Sequence, residues 1–89
     1  MSEAQPKTIH DAAYQVLIEC LRSARQNAKV TQVDLAARLG ADQSYVSKYE
    51  RCERRLDVIE VRAICHALDI ELGKFIQTFE RELRERNLA

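Results

Sequence analysis

The run Gln32-Val33-Asp34-Leu35-Ala36-Ala37-Arg38-Leu39-Gly40-Ala41-Asp42-Gln43-Ser44-Tyr45-Val46-Ser47-Lys48-Tyr49 decides how this chain folds. Thr31, just before it, is an N-cap residue with Asp34 three positions on, so a helix starts at Gln32. Leu35, Ala36 and Leu39 recur at helical spacing and turn inward. Gly40 stops that helix, because glycine adopts the left-handed conformation that ends one. Asp42 caps a second helix that turns Val46 and Tyr49 inward and leaves Gln43, Ser44, Ser47 and Lys48 outside. The small Ala36 lets the second helix cross closely, and Gly40, four residues later, allows the turn.

Reading outward, residues 1–8 form a flexible polar tail. Beyond it Ile9, Ala13, Val16, Leu17, Cys20, Leu21, Ala24 and Ala28 fall in steps of three and four on one helix face. Thr8 is the expected N-cap of this helix, with Asp11 in the capping-box position. Arg22, Arg25 and Lys29 lie toward its end, where cations suit the macrodipole. Downstream, Arg51-Cys52-Glu53-Arg54-Arg55 is a charged loop. Asp57 caps a fourth helix with Glu60 three residues later, and its inward stripe is Val58, Val61, Ile64, Cys65 and Leu68. Asp69 takes the position just past its end. A last helix over residues 71–87 carries the stripe Leu72, Phe75, Ile76, Phe79 and Leu83. No stretch alternates with a period of two, and one Pro with two Gly is too few for a sandwich or barrel. The expected fold is all-α: five helices in a single domain over residues 9–89.

Composition bounds the function. An 89-residue chain, 46% apolar and 31% charged, has the make-up of one globular domain and scant volume for a large catalytic pocket. No apolar run approaches the ~20 residues needed to cross a membrane, and the first residues lack the apolar core of a signal peptide, so the expected location is the cytoplasm. Cys20, Cys52 and Cys65 are odd in number and irregularly spaced, which makes thiols rather than a disulfide framework. Cys20 and Cys65 fall on apolar helix faces and read as core thiols. His10 and His66 lie far apart, and no metal-ligand spacing, phosphate loop or nucleophile–base pair is present. No metal, cofactor or catalytic residue is expected, and no enzyme activity.

The formal charge is zero, with 14 Lys and Arg against 14 Asp and Glu. Its distribution is uneven. Residues 1–21 carry −2, residues 22–55 carry +4, and residues 56–89 carry −2. A basic middle between two mildly acidic flanks favours an anionic partner there while limiting unspecific attraction elsewhere.

Two short helices joined by a glycine turn, over residues 32–50, make a helix-turn-helix. The outer residues of its second helix are short or linear and polar, as contact with base edges in a major groove requires. At these positions the chain resembles the Xre/lambda-repressor-like family of helix-turn-helix regulators. The resemblance rests on Thr31-Gln32, Leu35-Ala36 and Leu39-Gly40, followed by Val46-Ser47, then Tyr49-Glu50-Arg51, and on the later Ala67-Leu68-Asp69-Ile70 with Phe75. It spans about residues 14–80. It implies a five-helix lambda-repressor-like DNA-binding bundle with an extended C-terminal helix. It further implies a transcriptional regulator, most simply a repressor or autoregulator, on a palindromic operator of double-stranded DNA.

Carried over position by position, the resemblance implies that Gln43, Ser44, Ser47 and Lys48 face base edges. Gln32, Tyr45, Arg51, Arg54 and Arg55 would contact the DNA backbone. Arg25 and Glu50 would form an ion pair tying the first helix to the second helix of the motif. Cys52 stands where the family commonly has Gly. Either the helix continues for another turn there, or the loop takes a different path. Cys52 beside three arginines is also a candidate redox switch, against the plainer reading of a tolerated glycine replacement. On the last helix, Phe75, Ile76, Phe79 and Leu83 form a stripe whose outer end, Phe79 and Leu83, a bundle this small would leave uncovered. That points to a homodimer through this helix. A rival reading is the antitoxin of a toxin–antitoxin pair, binding both its operator and a protein toxin.

Overall fold

The computed structural model describes residues 11–89; residues 1–10, and with them the expected tail, the Thr8 cap, Ile9 and His10, lie outside the described residues. Five helices follow in chain order: α1 (Ala12–Asn27), α2 (Gln32–Leu39), α3 (Gln43–Glu50), α4 (Val58–Ala67) and α5 (Leu72–Glu85). Among the described residues there is no strand. The fold is an all-α, lambda-repressor-like bundle.

Local chemistry sets the helix starts. Asp11 itself caps α1: its backbone is extended and its carboxylate accepts from the Tyr14 N–H at 3.2 Å. Thr31 Oγ1 accepts from the Asp34 N–H at 3.0 Å and opens α2. Asp57 and Glu60 make a reciprocal capping box at the start of α4, with bonds of 2.8 and 2.9 Å. Asp42 occupies the cap position of α3 without a side-chain cap bond.

The helices end alike. Lys29, Gly40, Cys52, Asp69 and Asn87 each adopt a left-handed backbone, with φ between 58° and 66°. Each N–H donates to the carbonyl three residues back, and the next N–H reaches five residues back. At α3 these bonds run from Cys52 N to Tyr49 O, 3.0 Å, and from Glu53 N to Lys48 O, 2.8 Å. Paired bonds of this kind satisfy carbonyls that a helix end would otherwise leave open. Cys52 therefore follows neither expected route. α3 stops at Glu50, and Cys52 holds the conformation a glycine would hold at lower cost.

This makes a stability prediction. Lys29 is exposed, and Lys29→Gly should raise stability by about 0.5–1 kcal/mol in urea denaturation, because glycine carries no Cβ penalty at positive φ. Cys52→Gly should gain less, since its half-buried side chain packs against the core. A loss of stability in Lys29→Gly would refute the assignment of strain to these caps.

The core gathers α1, α2, α3 and α4 around Leu21, Leu35, Val46, Tyr49, Ile64 and Cys65, all essentially inaccessible. α2 packs on α3 and α4, while α1 packs on α3 and α5. With neighbours on two sides, α1 buries a wider arc than its single stripe. Tyr14 and Ile18 are buried as well as Val16 and Leu21, while Ala13, Leu17, Cys20 and Ala24 are half-buried. Val58, expected inward, is 62% exposed, because the first turn of α4 projects past the core.

α5 corrects a second expectation. Leu83 is buried, at 7% exposure, and Phe75 at 4%. α5 lies along α1, and Arg86 ties the two together through Glu19 at 2.8 Å. The chain covers its own Leu83; of the four stripe residues only Ile76 and Phe79 keep exposed or half-exposed surface.

Candidate nucleic-acid interface

α3 presents Gln43, Ser44 and Lys48 to solvent, with Ser47 half-buried beside them. Val46 and Tyr49, on the opposite side, anchor the helix in the core. The short α2 crosses behind it, and Gly40 sets the angle between the two with its left-handed backbone.

Glu50, at the end of α3, is buried and draws Arg25, Arg22 and Gln32 around it. Arg25 grips its carboxylate bidentately, Nε to Oε2 at 2.7 Å and a guanidinium N–H to Oε1 at 3.0 Å. Arg22 lies 3.5 Å from Oε1 and also donates to the Glu50 carbonyl at 3.2 Å. Gln32 Nε2 donates to Oε1 at 2.9 Å. Burial alone would push this carboxyl up, but the hydrogen bonds from Arg25 and Gln32 and the charges of Arg25 and Arg22 outweigh it and hold the group below the ordinary carboxylate range. Gln32 continues outward, its Oε1 accepting from Gln43 Nε2 at 3.2 Å. Arg25, Glu50, Gln32 and Gln43 thus form one connected line from α1 to the exposed face of α3.

The neighbouring arginines are held too. Arg54 lies 4.8 Å over the Tyr45 ring and pairs with Glu60 at 2.9 Å. Arg55 lies 4.7 Å over the Tyr14 ring, whose hydroxyl accepts from the Leu56 N–H at 2.9 Å. Arg51 pairs bidentately with Glu53 at 3.0 and 3.1 Å and donates to Ser47 Oγ. Tyr45 and Tyr49 meet edge to face at 5.7 Å. The positions of Arg54 and Arg55 are therefore set by aromatic rings on α3 and α1, which position in the sequence did not reveal.

Cys52 has no activated environment. Burial pushes its thiol up, the nearby Arg22 offsets this only in part, and Arg51, Arg54 and Arg55 are turned to Glu53, Glu60 and Tyr14. A thiol raised in this way holds little thiolate at neutral pH, which counts against the redox switch. Cys65 is pushed up to about 11 by burial. Among the described residues no cluster of three or more His, Cys, Asp or Glu could hold a metal, and no helix is long and apolar enough to cross a membrane.

Tyr49 carries a buried hydroxyl with no hydrogen-bond partner among the described residues. Burial raises its pKa well beyond the ordinary phenol value. An unpaired buried hydroxyl costs free energy. Tyr49→Phe should therefore leave stability unchanged or raise it by up to about 1 kcal/mol, read from thermal unfolding. A clear loss would mean that the hydroxyl has a partner.

A helix-turn-helix family profile matches residues 21–75, well over half the chain and the whole of the site. The chain belongs to the Xre-type helix-turn-helix family. It is a DNA-binding transcriptional regulator. Solved structures agree. An XRE-family like protein from Pseudomonas syringae pv. tomato is 46% identical, with a TM-score of 0.77 over 83% of this chain and 90% of that one. The restriction-modification controller protein C.Esp1396I, 22% identical, has a TM-score of 0.79 over 85% of this chain and 99% of that one. The clp gene regulator ClgR from Corynebacterium glutamicum, 23% identical, has a TM-score of 0.67 over 88% and 95%. These last two likenesses speak for the fold alone. No curated protein matches the chain.

Proposed function

We propose that this regulator reads a palindromic operator as a homodimer and represses the promoter it overlaps. The observation that carries the reading is the exposed face of α3, where Gln43, Ser44 and Lys48 stand clear of the core on a helix braced from behind by Glu50. Gln43, Ser44, Ser47 and Lys48 contact base edges. Lys48 donates to guanine O6 or N7, and Gln43 pairs with adenine. Gln32, Tyr45, Arg51, Arg54 and Arg55 hold the sugar-phosphate backbone. Two such helices, related by a two-fold axis, reach half-sites about 34 Å apart, one turn of DNA.

The dimer contact falls on α5. Ile76 is 36% exposed and Phe79 half-buried, so these two supply its apolar centre. Phe75 and Leu83 serve the fold behind them. An electrophoretic mobility shift against oligonucleotides selected from a random pool tests the reading. Weak binding, equal on all sequences, would end it.

The roles divide in a measurable way. Lys48→Ala should cost about 1–3 kcal/mol on the selected site and relax preference at one base pair. Arg54→Ala should weaken all sequences alike and lower the salt dependence by about one phosphate's worth. Competition binding at several salt concentrations separates them; the same profile from both variants would refute the division.

A further inference from the structure

Arg51 and Arg54 belong to the same loop and each faces a glutamate, but the two pairs are built differently. Glu53 covers the side of Arg51: Nε donates to Oε2 at 3.0 Å and Nη2 to Oε1 at 3.1 Å, while Nη1 donates to Ser47 Oγ. The two-donor fork that suits a phosphate is thereby taken up inside the protein. Arg54 keeps that fork clear. Glu60 Oε2 lies 2.9 Å from its Nη1, and the same nitrogen donates to the Arg55 carbonyl at 3.2 Å. One face of the guanidinium rests on the Tyr45 ring, 4.8 Å from its centroid. Plane and rotation are both set, and no bond among the described residues takes Nε or Nη2, on a side chain that is 43% exposed. Glu60 is itself held, because its Oε1 accepts from the Asp57 N–H at 2.9 Å in the capping box of α4. Tyr45 directly follows Gln43 and Ser44, so the start of α4 carries Arg54 against the first turn of α3. A half-exposed ion pair adds little to stability, so the consequence of this one lies in its geometry.

We infer that Glu60 is a positioning residue: it holds Nη1 of Arg54 so that Nε and Nη2 meet a DNA phosphate as a preformed fork, whereas Glu53 competes with phosphate for the fork of Arg51. Arg54 can take the phosphate without leaving Glu60. Arg51 must first leave Glu53. A free arginine loses rotamer freedom when a phosphate immobilises it, and Arg54 is ordered beforehand by Glu60, the Arg55 carbonyl and the Tyr45 ring. The carboxylate of Glu60 also repels DNA, but salt screens that repulsion while the contact it prepares is direct. Two acids of equal charge, seven positions apart, therefore act on DNA binding with opposite sign. The inference rests on Arg54 being a backbone contact.

The test is the affinity of the full chain for a pool-selected duplex, read by fluorescence anisotropy at several salt concentrations. The variants are Glu60→Gln, Glu53→Gln, Arg54→Ala, and Arg54→Ala combined with Glu60→Gln. Glutamine keeps an acceptor for the Asp57 N–H, so the cap of α4 survives. Each glutamine variant removes one negative charge beside the DNA, and charge alone would tighten binding in both. Glu53→Gln should tighten it about twofold. Glu60→Gln should instead weaken it about fivefold and lower the salt slope by about one phosphate's worth, as Arg54→Ala does. In the Arg54→Ala background Glu60→Gln should cause no further loss, which a variant weakened by misfolding would not show. If Arg54→Ala weakens binding but Glu60→Gln tightens it or leaves it unchanged, the positioning role is wrong and the contact by Arg54 stands. The same holds if Glu60→Gln weakens binding equally with and without Arg54. If Arg54→Ala leaves affinity and salt slope unchanged, the contact itself is wrong, and the positioning role falls with it.

Discussion

Replacing Glu50 by Ala should destabilise the fold by about 3–5 kcal/mol, a large share of the roughly 5–15 kcal/mol that holds a domain together. The carboxylate is fully enclosed, and the side chain of its partner Arg25 is only 11% exposed. Removing the acid leaves a guanidinium with little water in place of its two bonds, and strips Gln32 of its acceptor. The pair itself is a different matter. Two charges taken out of water give back much of their attraction as desolvation cost, so replacing both with apolar residues of similar size should cost less than losing either one. Urea denaturation of Glu50→Ala, and of the double variant Arg25→Met with Glu50→Leu, checks both statements. A double variant worse than either single would contradict them.

The same group makes stability depend on acid. Its folded pKa lies below the ordinary value, so its contribution is fully present above the unfolded pKa of about 4.3 and is lost as pH falls through the folded value. The stability difference between wild type and Glu50→Ala should hold from neutral pH down to about 4.3 and shrink below it.

Leu83→Ala should cost about 2–4 kcal/mol of fold stability, within the range for deleting a buried leucine side chain. The reason is the docking of α5 along α1, which leaves Leu83 only 7% exposed. The lower half of the range suits a residue near a helix end, where neighbours can relax into the cavity. Ile76→Asp should behave oppositely, with little effect on unfolding and a loss of self-association. Chemical denaturation together with sedimentation equilibrium reads both quantities. Unchanged unfolding in Leu83→Ala, together with a failure to dimerise, would restore the view that Leu83 faces a partner.

These two residues also show what the sequence reveals and what it hides. Caps are decided within about four residues, so Thr31, Gly40 and the Asp57–Glu60 box can be read directly from neighbours in the chain. The amphipathic stripes of α2 and α3 are equally local. Burial of Tyr14, Ile18 and Leu83 is not, because it depends on which helix lies across the gap. α1 has α3 on one side and α5 on the other, and periodicity along α1 alone cannot tell one neighbour from two. The polar face of α3 is legible as residue types at helical spacing. Its bracing is not: Gln32 meets Glu50 across 18 positions and Gln43 across 11. The stacking of Arg54 on Tyr45 and Arg55 on Tyr14 is likewise a product of the tertiary fold.

The central claim is that α3 distinguishes bases. Fluorescence anisotropy titration of a pool-selected duplex and a scrambled duplex of equal length, at one physiological salt concentration, tests it most directly. Binding to the selected duplex should be tighter by at least about a thousandfold, the lower end for specific DNA-binding proteins. Equal affinity for the two duplexes would contradict base reading by α3.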